Sequence, residues 1–366
     1  MNYKYFSGFL LLSFLGFKSI NEKNAPMFFN MGDEWQKATI TADSIVFQSM
    51  DSLMQHQVNI LMNADKEALL YFSDLETTVC ADGECRLARI KLYWNLLGNY
   101  VGFGIHHEDP LTKYDHDPFD SEDYSRLHGL LMDNNSILRR KKMDDLVIRV
   151  PTDSSQSVKN VSVDGMTSAT KKEIKEAVVE GGLYSCYTLW HLIHGEIKQK
   201  MKDRLKENYN DSIQLSFLFS EYQDYQTYAL KKMDAEDFAL HGDRIAHIFN
   251  GTSPLNRGYI MKKMPINMLI QEGMVRQFYT NFSALDVNSR TQLIQKLNES
   301  HHSAVEILSS YAQLLTRNQL KLYLEFLLES QSNLTATVVS NLELAQNSKE
   351  YAFVYLIDEF FEELEM

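Results

Sequence analysis

The chain has 366 residues, beyond the usual size of a single hydrophobic core, so two domains are expected. Hydrophobic residues make up 44% and charged residues 23%, the balance of a globular chain rather than a disordered one. Lys and Arg number 36 against 49 Asp and Glu, and the formal charge of −13 argues against non-specific nucleic-acid binding, which needs a surplus of cations; no basic stripe interleaved with aromatics offsets it. Six prolines over this length favour long uninterrupted helices.

The N-terminus reads MNYKYFSGFLLLSFLGFKSIN. Lys4 gives a positive start, and Tyr5 to Phe17 is an apolar run broken only by Ser7, Gly8, Ser13 and Gly16. The run is too short to span a bilayer comfortably and fits the core of a signal peptide over residues 1–20. Export to the periplasmic or cell-surface side of a bacterial membrane follows from that reading; an N-terminal core helix is the other reading. Lys18-Ser19-Ile20 is not a small-x-small cleavage pattern, and no cysteine comes after it to carry a lipid.

Asp33 to Asp65 is expected to be helical, with Ile45, Met50, Leu53 and Val58 among its apolar positions. Cys80 and Cys85 bracket Ala-Asp-Gly-Glu, a turn-forming tetrapeptide, and are a disulfide candidate in an exported protein. The same spacing suits a metal, but no second cysteine pair completes a site. Ala88, Ile90, Leu92 and Trp94 alternate with Arg89, Lys91 and Tyr93, which predicts a strand with one buried face. Asn99–Ile105 is a second expected strand, whose glycines suggest a bend or a close approach. Leu146–Val150, ending at Pro151, is a third, and Val158–Val163 a fourth. Between them Asp120 or Ser121 is placed to cap a short helix through Leu131.

Near Lys198 the character changes. Lys198–Asn210 is charged and helical, and beyond it no strand pattern appears. Arg290–Leu297, Ala304–Leu315, Asn318–Ser330, Leu334–Gln346 and Lys349–Leu364 are amphipathic at helical spacing; Leu320, Tyr323, Leu324, Leu327 and Leu328 form one stripe. The expected architecture is an α+β domain over 21–200 followed by an all-α helical array over 201–366, either solenoid-like or an irregular bundle.

The residues with chemical interest lie in Asp164-Gly-Met-Thr-Ser-Ala-Thr170 and the helices after it. Thr170-Lys-Lys-Glu173 fits a capping box, with Ile174, Ala177 and Val178 on the apolar face and Gly181-Gly182 ending the helix. Thr170 is then a structural cap. A helix start also receives phosphate well, because free N–H groups and the dipole favour negative charge. A capping hydroxyl at such an end is placed to form a phosphoester. Further on, Tyr184, Tyr187 and Trp190 are candidates for flanking an aromatic ring, although such residues are more often core. His191 and His194 share a helix face, and His106, His107, His116 and His128 cluster in sequence. Neither group carries a metal signature, so structural or solvated roles are the simpler reading. Cys186 sits in an apolar helical stretch as a buried thiol.

Asp164–Thr170 resembles the attachment motif of the FMN-binding domain family, which includes covalently flavinylated subunits of sodium-pumping quinone reductases and Rnf-type complexes. The family pattern is roughly Asp-x-x-Ser/Thr-Gly-Ala-Thr/Ser; Asp164, Thr167, Ala169 and Thr170 match, and Ser168 stands where the family has glycine. The run Gly182, Tyr184, Tyr187, Thr188, Leu189, Trp190, His191 is similar to the stretch after the motif in exported members. Leu92–Tyr100 and Asp115–Phe119 also look like segments of such proteins. The resemblance spans residues 75–200. It implies an FMN-binding-like α+β fold and FMN attached through its phosphate to Thr170 by a flavin transferase that uses FAD. Asp164, Thr167, Ser168, Ala169, Tyr187, Trp190 and His191 would line the cofactor site. The expected function is an exported electron-transfer protein that passes electrons to an unknown redox partner; a peripheral membrane complex is a further option. The alternative is a non-enzymatic helical-repeat interaction protein whose α+β domain carries no flavin.

Overall fold

The computed structural model describes residues 18–19, 26–32, 36, 38–48, 55–77, 88–113, 117–142, 146 and 172–364. The chain divides into two compact units, Met1–Asn208 and Tyr209–Met366. The division falls at the end of a helix that crosses the expected 200/201 boundary.

The first unit is built on an antiparallel sheet, seven-stranded among the described residues, with the order β1-β3-β4-β5-β6-β7-β2. Its strands are β1 (Lys18–Ser19), β2 (Phe28–Phe29), β3 (Thr39–Gln48), β4 (Gln55–Met62), β5 (Ala68–Thr77), β6 (Ala88–Trp94) and β7 (Tyr100–Ile105). β3 and β4 replace the helix expected over Asp33–Asp65. The segment is rich in β-branched residues, Thr39, Ile40, Thr41, Ile45 and Val46 among them, which pack better on a pleated surface. Ile45 and Val58, which a helical reading puts on one stripe, face each other across the β3–β4 ladder. β5 has no counterpart among the expected elements; β6 and β7 match the first two expected strands. Of the two remaining expected strands, Val158–Val163 lies outside the described residues, as does Leu146–Val150 except for Leu146.

One sheet face carries Val58, Ile60, Tyr71, Leu75, Ile90, Leu92, Trp94 and Phe103 into a core shared with helices α1 (Ser121–Met132), α2 (Lys172–Ala177), α3 (Leu183–His194) and α4 (Glu196–Asn208). The other face buries Leu61, Leu70, Phe72, Tyr93 and Val101, with Phe29, Met31 and Ile40 packed over them. β6 is therefore covered on both faces, which corrects the expectation of a single buried face. Even Lys91 is only 3% exposed, and burial lowers its ammonium pKa, partly opposed by the Asp74 carboxylate.

α1 starts where its sequence says it should. Asp120 accepts from the Glu122 and Asp123 N–H groups, and the Asp123 carboxylate accepts in turn from the Asp120 N–H, a complete capping box. The helix after the motif ends at Ala177, ahead of Gly181, which holds φ +76°. The next residue, Gly182, sits where a Cβ would lie 2.6 Å from Phe119 Cζ and 3.2 Å from Val179 Cβ.

The second unit is all helix among its described residues. α5 (Asp211–Phe219) packs on α6 (Gln223–Lys232), and α7 (Ala235–Leu240) on α8 (Gly242–Gly251). Beyond them lie α9 (Pro254–Lys263), α10 (Glu272–Tyr279), α11 (Val287–Gln295), α12 (Ser303–Ser309), α13 (Arg317–Glu329), α14 (Ala336–Gln346) and α15 (Val354–Leu364). α8, α10, α12 and α14 stack successively in one row, and α9, α11, α13 and α15 in a second. That is a two-row helical array, in which each helix packs on the helix two along the chain.

The core positions recur with it. Val275, Phe278, Tyr279, Phe282 and Leu285, then Ser289, Leu293, Ile294 and Leu297, are buried in one pair of helices. Val305, Leu308, Ser309, Ala312 and Leu315, then Gln319, Tyr323, Leu324 and Leu327, take the same places in the next. Caps recur as well: Ser253, Asp286 and Thr316 each accept from the third N–H of their helix. Polar ties join neighbouring pairs. Gln319 donates to the Val287 carbonyl at 2.9 Å, Asn341 to Ser309 Oγ at 2.8 Å, and Arg257 pairs with Asp286 at 3.3 Å.

Gly182→Ala should destabilise the first unit by about 1–3 kcal/mol, because the buried Phe119 ring must move to admit a methyl group. Adding Phe119→Leu should restore part of the loss. Urea unfolding followed by the fluorescence of the buried Trp94 and Trp190 reads both effects; equal stability of Gly182→Ala and wild type would show that the contact is not tight.

Candidate functional site

Asp164, Thr167, Ser168, Ala169 and Thr170 lie outside the described residues, as do Cys80, Cys85 and His116. The helix on the C-terminal side of the motif is described. α2 begins at Lys172, buries Ile174 in the core of the unit, and ends against α1. Arg126 of α1 donates to the carbonyls of Glu176 at 2.6 Å and Lys175 at 3.4 Å. A guanidinium at the C-terminal end of a helix satisfies carbonyls that lack intrahelical partners and sits favourably in the helix dipole. The motif thus runs into a helix anchored by burial and by Arg126.

Tyr187, Trp190 and His191, together with His194, share one side of α3, and each turns a donor toward the same stretch of backbone. Tyr187 OH donates to the Lys141 carbonyl at 3.1 Å, and Trp190 Nε1 to Asp133 at 2.9 Å. His191 Nε2 donates to Leu138 at 3.1 Å, and His194 Nε2 to Leu131 at 2.9 Å. In the neutral form of either ring, this bond places the proton on Nε2. The rings also touch one another: Tyr187 and His191 at 4.2 Å between centroids, Trp190 and His194 at 4.5 Å. Tyr187 and Trp190 are buried, at 6% and 3% exposure, so both rings face protein. Burial, reinforced by the nearby Lys198 cation, pulls His194 down to about 4. Cys186 accepts a bond from the Val179 N–H at 3.4 Å and is fully buried.

The other histidines are dispersed. His106 Nε2 pairs with Asp74 Oδ1 at 2.8 Å on the sheet, beside Arg89, which reaches Asp109 at 3.6 Å. His128 shares a 2.9 Å bond with Tyr100 OH and stacks on Phe28 at 4.8 Å. His107 is exposed. Among the described residues no three His, Cys, Asp or Glu side chains converge as metal ligands.

Sequence reasoning missed Arg126 and the cluster around Lys198. Lys198 Nζ donates to Asn134 Oδ1 at 2.7 Å, and the Lys202 and Arg139 cations lie close enough to affect its charge. A signal was present in Arg139-Arg-Lys-Lys142, a run of four cations in an acidic chain.

No family model, curated protein or solved structure matches this chain. Among the described residues no helix is long and apolar enough to cross a membrane.

The half-buried His194 gives a pH prediction. Its folded-state pKa of about 4 lies below the ordinary value of 6.5, so the unfolded state binds more protons between those limits. The stability it contributes is present above pH 6.5 and is lost as pH falls toward 4. In His194→Gln, the uptake on unfolding in that window should fall by up to about one proton. Parallel stability–pH curves for the variant and the wild type would contradict this.

Proposed function

We propose that the chain is a flavin carrier, an exported electron-transfer protein with FMN linked through its phosphate to Thr170. The observation that supports this most directly is the seven-residue stretch Asp164–Thr170, which ends two residues before an anchored helix. In the attachment step, Thr170 Oγ bonds to the FMN-side phosphorus of FAD, the phosphoanhydride bond breaks, the hydroxyl proton is lost to solvent, and AMP leaves. A flavin so bound supplies one- and two-electron redox chemistry.

The chain's own residues supply the mounting. Arg126 and the buried Ile174 hold the helix after the attachment residue, so the linkage is tied to the domain on its C-terminal side. Tyr187, Trp190 and His191 spend their polar atoms on backbone carbonyls. Their part in this reading is to fix the 131–141 segment, and the attachment rests on Thr170. If the attachment loop demands positive φ at Ser168, that residue carries a steric cost that glycine avoids.

A second reading is favoured by a separate observation, the two-row helical array. Such arrays bind partners along an extended surface, and this one leaves Leu255, Ile266 and Leu344 at 84%, 71% and 63% exposure. On this reading the chain is a non-enzymatic interaction protein. The array also serves the flavin reading, as the docking surface for a redox partner.

The intact mass of denatured protein, co-expressed with a flavin transferase of a flavinylated family, separates the two. One FMN per chain in the wild type and none in Thr170→Ala is the expected result. An unmodified wild type, in cells where a known substrate of the same transferase is modified, would reject the flavin reading.

A further inference from the structure

The segment between α1 and residue 142 is unusual in an acidic protein. After Asn134 and Ser136 the chain makes a 3-10 turn, Ile137–Arg140, and carries Arg139, Arg140, Lys141 and Lys142 in succession. Its backbone is held from both sides. Within the segment, Ser136 Oγ caps the Leu138 N–H at 3.3 Å and Asp133 Oδ1 takes the Asn135 N–H at 2.8 Å. From α3, four side chains seize the carbonyls of Leu131, Asp133, Leu138 and Lys141. A rigid backbone presents exposed cations at Arg139, Arg140 and Lys142.

α4 brings further cations to the same place. Lys198 and Lys202 lie four residues apart on one helix face, and Arg139 faces Lys198 from the turn. Lys198 is half-buried, with its ammonium bonded to a neutral amide, Asn134 Oδ1, at 2.7 Å. On the same helix Lys200 is paired with Glu196 at 3.0 Å, and Asp203 is engaged by Gln199 at 2.9 Å. Among the described residues no carboxylate ion-pairs with Arg139, Lys198 or Lys202. Among the described residues, His194, neutral near pH 7, borders Lys198, and Asp133, which borders His194, has its Oδ1 committed to the Asn135 N–H. Burial and the two neighbouring cations pull Lys198 down to about 8, so the cluster repels itself and an anion would relieve it.

We propose that Arg139, Lys198 and Lys202 form a receiving site for a phosphate-bearing anion. Three cations arriving from two separate elements suit a group with several oxygens and a double charge better than a single carboxylate. The amide of Asn134 positions Lys198 for that contact. The ligand chemistry is a phosphoryl group, either on a soluble molecule or on a lipid headgroup. The site is independent of the flavin reading and exists whether or not Thr170 is modified.

The test titrates the full chain, produced without a flavin transferase, at low ionic strength with pyrophosphate and, in parallel, with vesicles of phosphatidylglycerol or phosphatidylcholine. Binding is read calorimetrically for pyrophosphate and by co-sedimentation for vesicles. Saturable binding of pyrophosphate, or of phosphatidylglycerol but not phosphatidylcholine vesicles, is expected. Arg139→Gln and Lys198→Gln should each weaken it about tenfold or more, the loss of a charge-assisted contact. Lys198→Arg should retain it, and so should Lys321→Gln, which removes an exposed charge in α13. Thermal melts check that every variant is folded. Which probe saturates identifies the source of the phosphoryl group. Saturation by neither probe, insensitivity to Arg139→Gln and Lys198→Gln, or equal weakening by Lys321→Gln overturns the proposal.

Discussion

The first unit depends on one set of contacts, the four donors that α3 aims at the backbone of residues 131–141. Backbone carbonyls in an irregular segment must find partners or remain in water, and a buried one left alone costs about 1–3 kcal/mol. Tyr, Trp and His can each place an apolar ring in a core and a donor at its rim. α3 uses that property repeatedly: Leu189 and Ile193 enter the sheet core, while Tyr187, Trp190, His191 and His194 tie down the loop. The low pKa of His194 is a by-product, since a ring buried to deliver one hydrogen bond loses the solvent that would stabilise its charge. Arg139 sits on the backbone that this arrangement holds, and Lys198 bonds to Asn134 in the same segment.

The sheet explains why the chain before β3 matters to the unit. An antiparallel sheet with helices on one face commonly leaves the other wet. Here Phe28 and Phe29 pair with Phe103 and Gly102 of β7, and Met31 and Phe29 close over Tyr93 and Phe72. Gly102 permits that pairing, because a Cβ there would lie 2.2 Å from the Phe28 carbonyl oxygen. Burial on both sides is what forces Lys91 inside, and Asp74 opposite it in the ladder partly offsets the cost.

Much of the architecture is legible where the signal is local. The cap at Asp120, the strand at Ala88–Trp94 and the helical stripes beyond Lys198 each depend on near neighbours in sequence, and each has its element in the structure, although the expected one-sided burial of that strand does not hold. β3 and β4 escape a sequence reading because Ile45, Met50, Leu53 and Val58 also fit a helical spacing; only pairing across the sheet distinguishes the two. The strand face of Lys91 and Tyr93 misleads for a related reason, since its cover comes from residues some fifty to sixty-four positions earlier. At the candidate site, the hydroxyl-rich motif can be read directly. The partners of Tyr187, Trp190 and His191 cannot, because they are backbone carbonyls with no side-chain signature.

The helical array shows how a repeat can escape a sequence reading and still govern a structure. Between Val275–Leu297 and Val305–Leu327 the buried positions keep one register, of roughly thirty residues, within the range of helix-pair repeats. Their identities drift: Tyr279 is matched by Ser309, and Ser289 by Gln319. The drift is compensated in pairs. Tyr279 reaches the Leu293 carbonyl from the first helix of its pair, whereas in the next pair Tyr323 reaches the Val305 carbonyl from the second. Where Ser309 is small, Asn341 of the following helix donates to its hydroxyl, and where Gln319 is long it spans to Val287 and Thr291 of the preceding one. What is preserved at these interfaces is a hydrogen bond to a buried polar group. That constraint acts between neighbours, so the identities can change so long as each interface is closed, and no residue motif survives to announce the period.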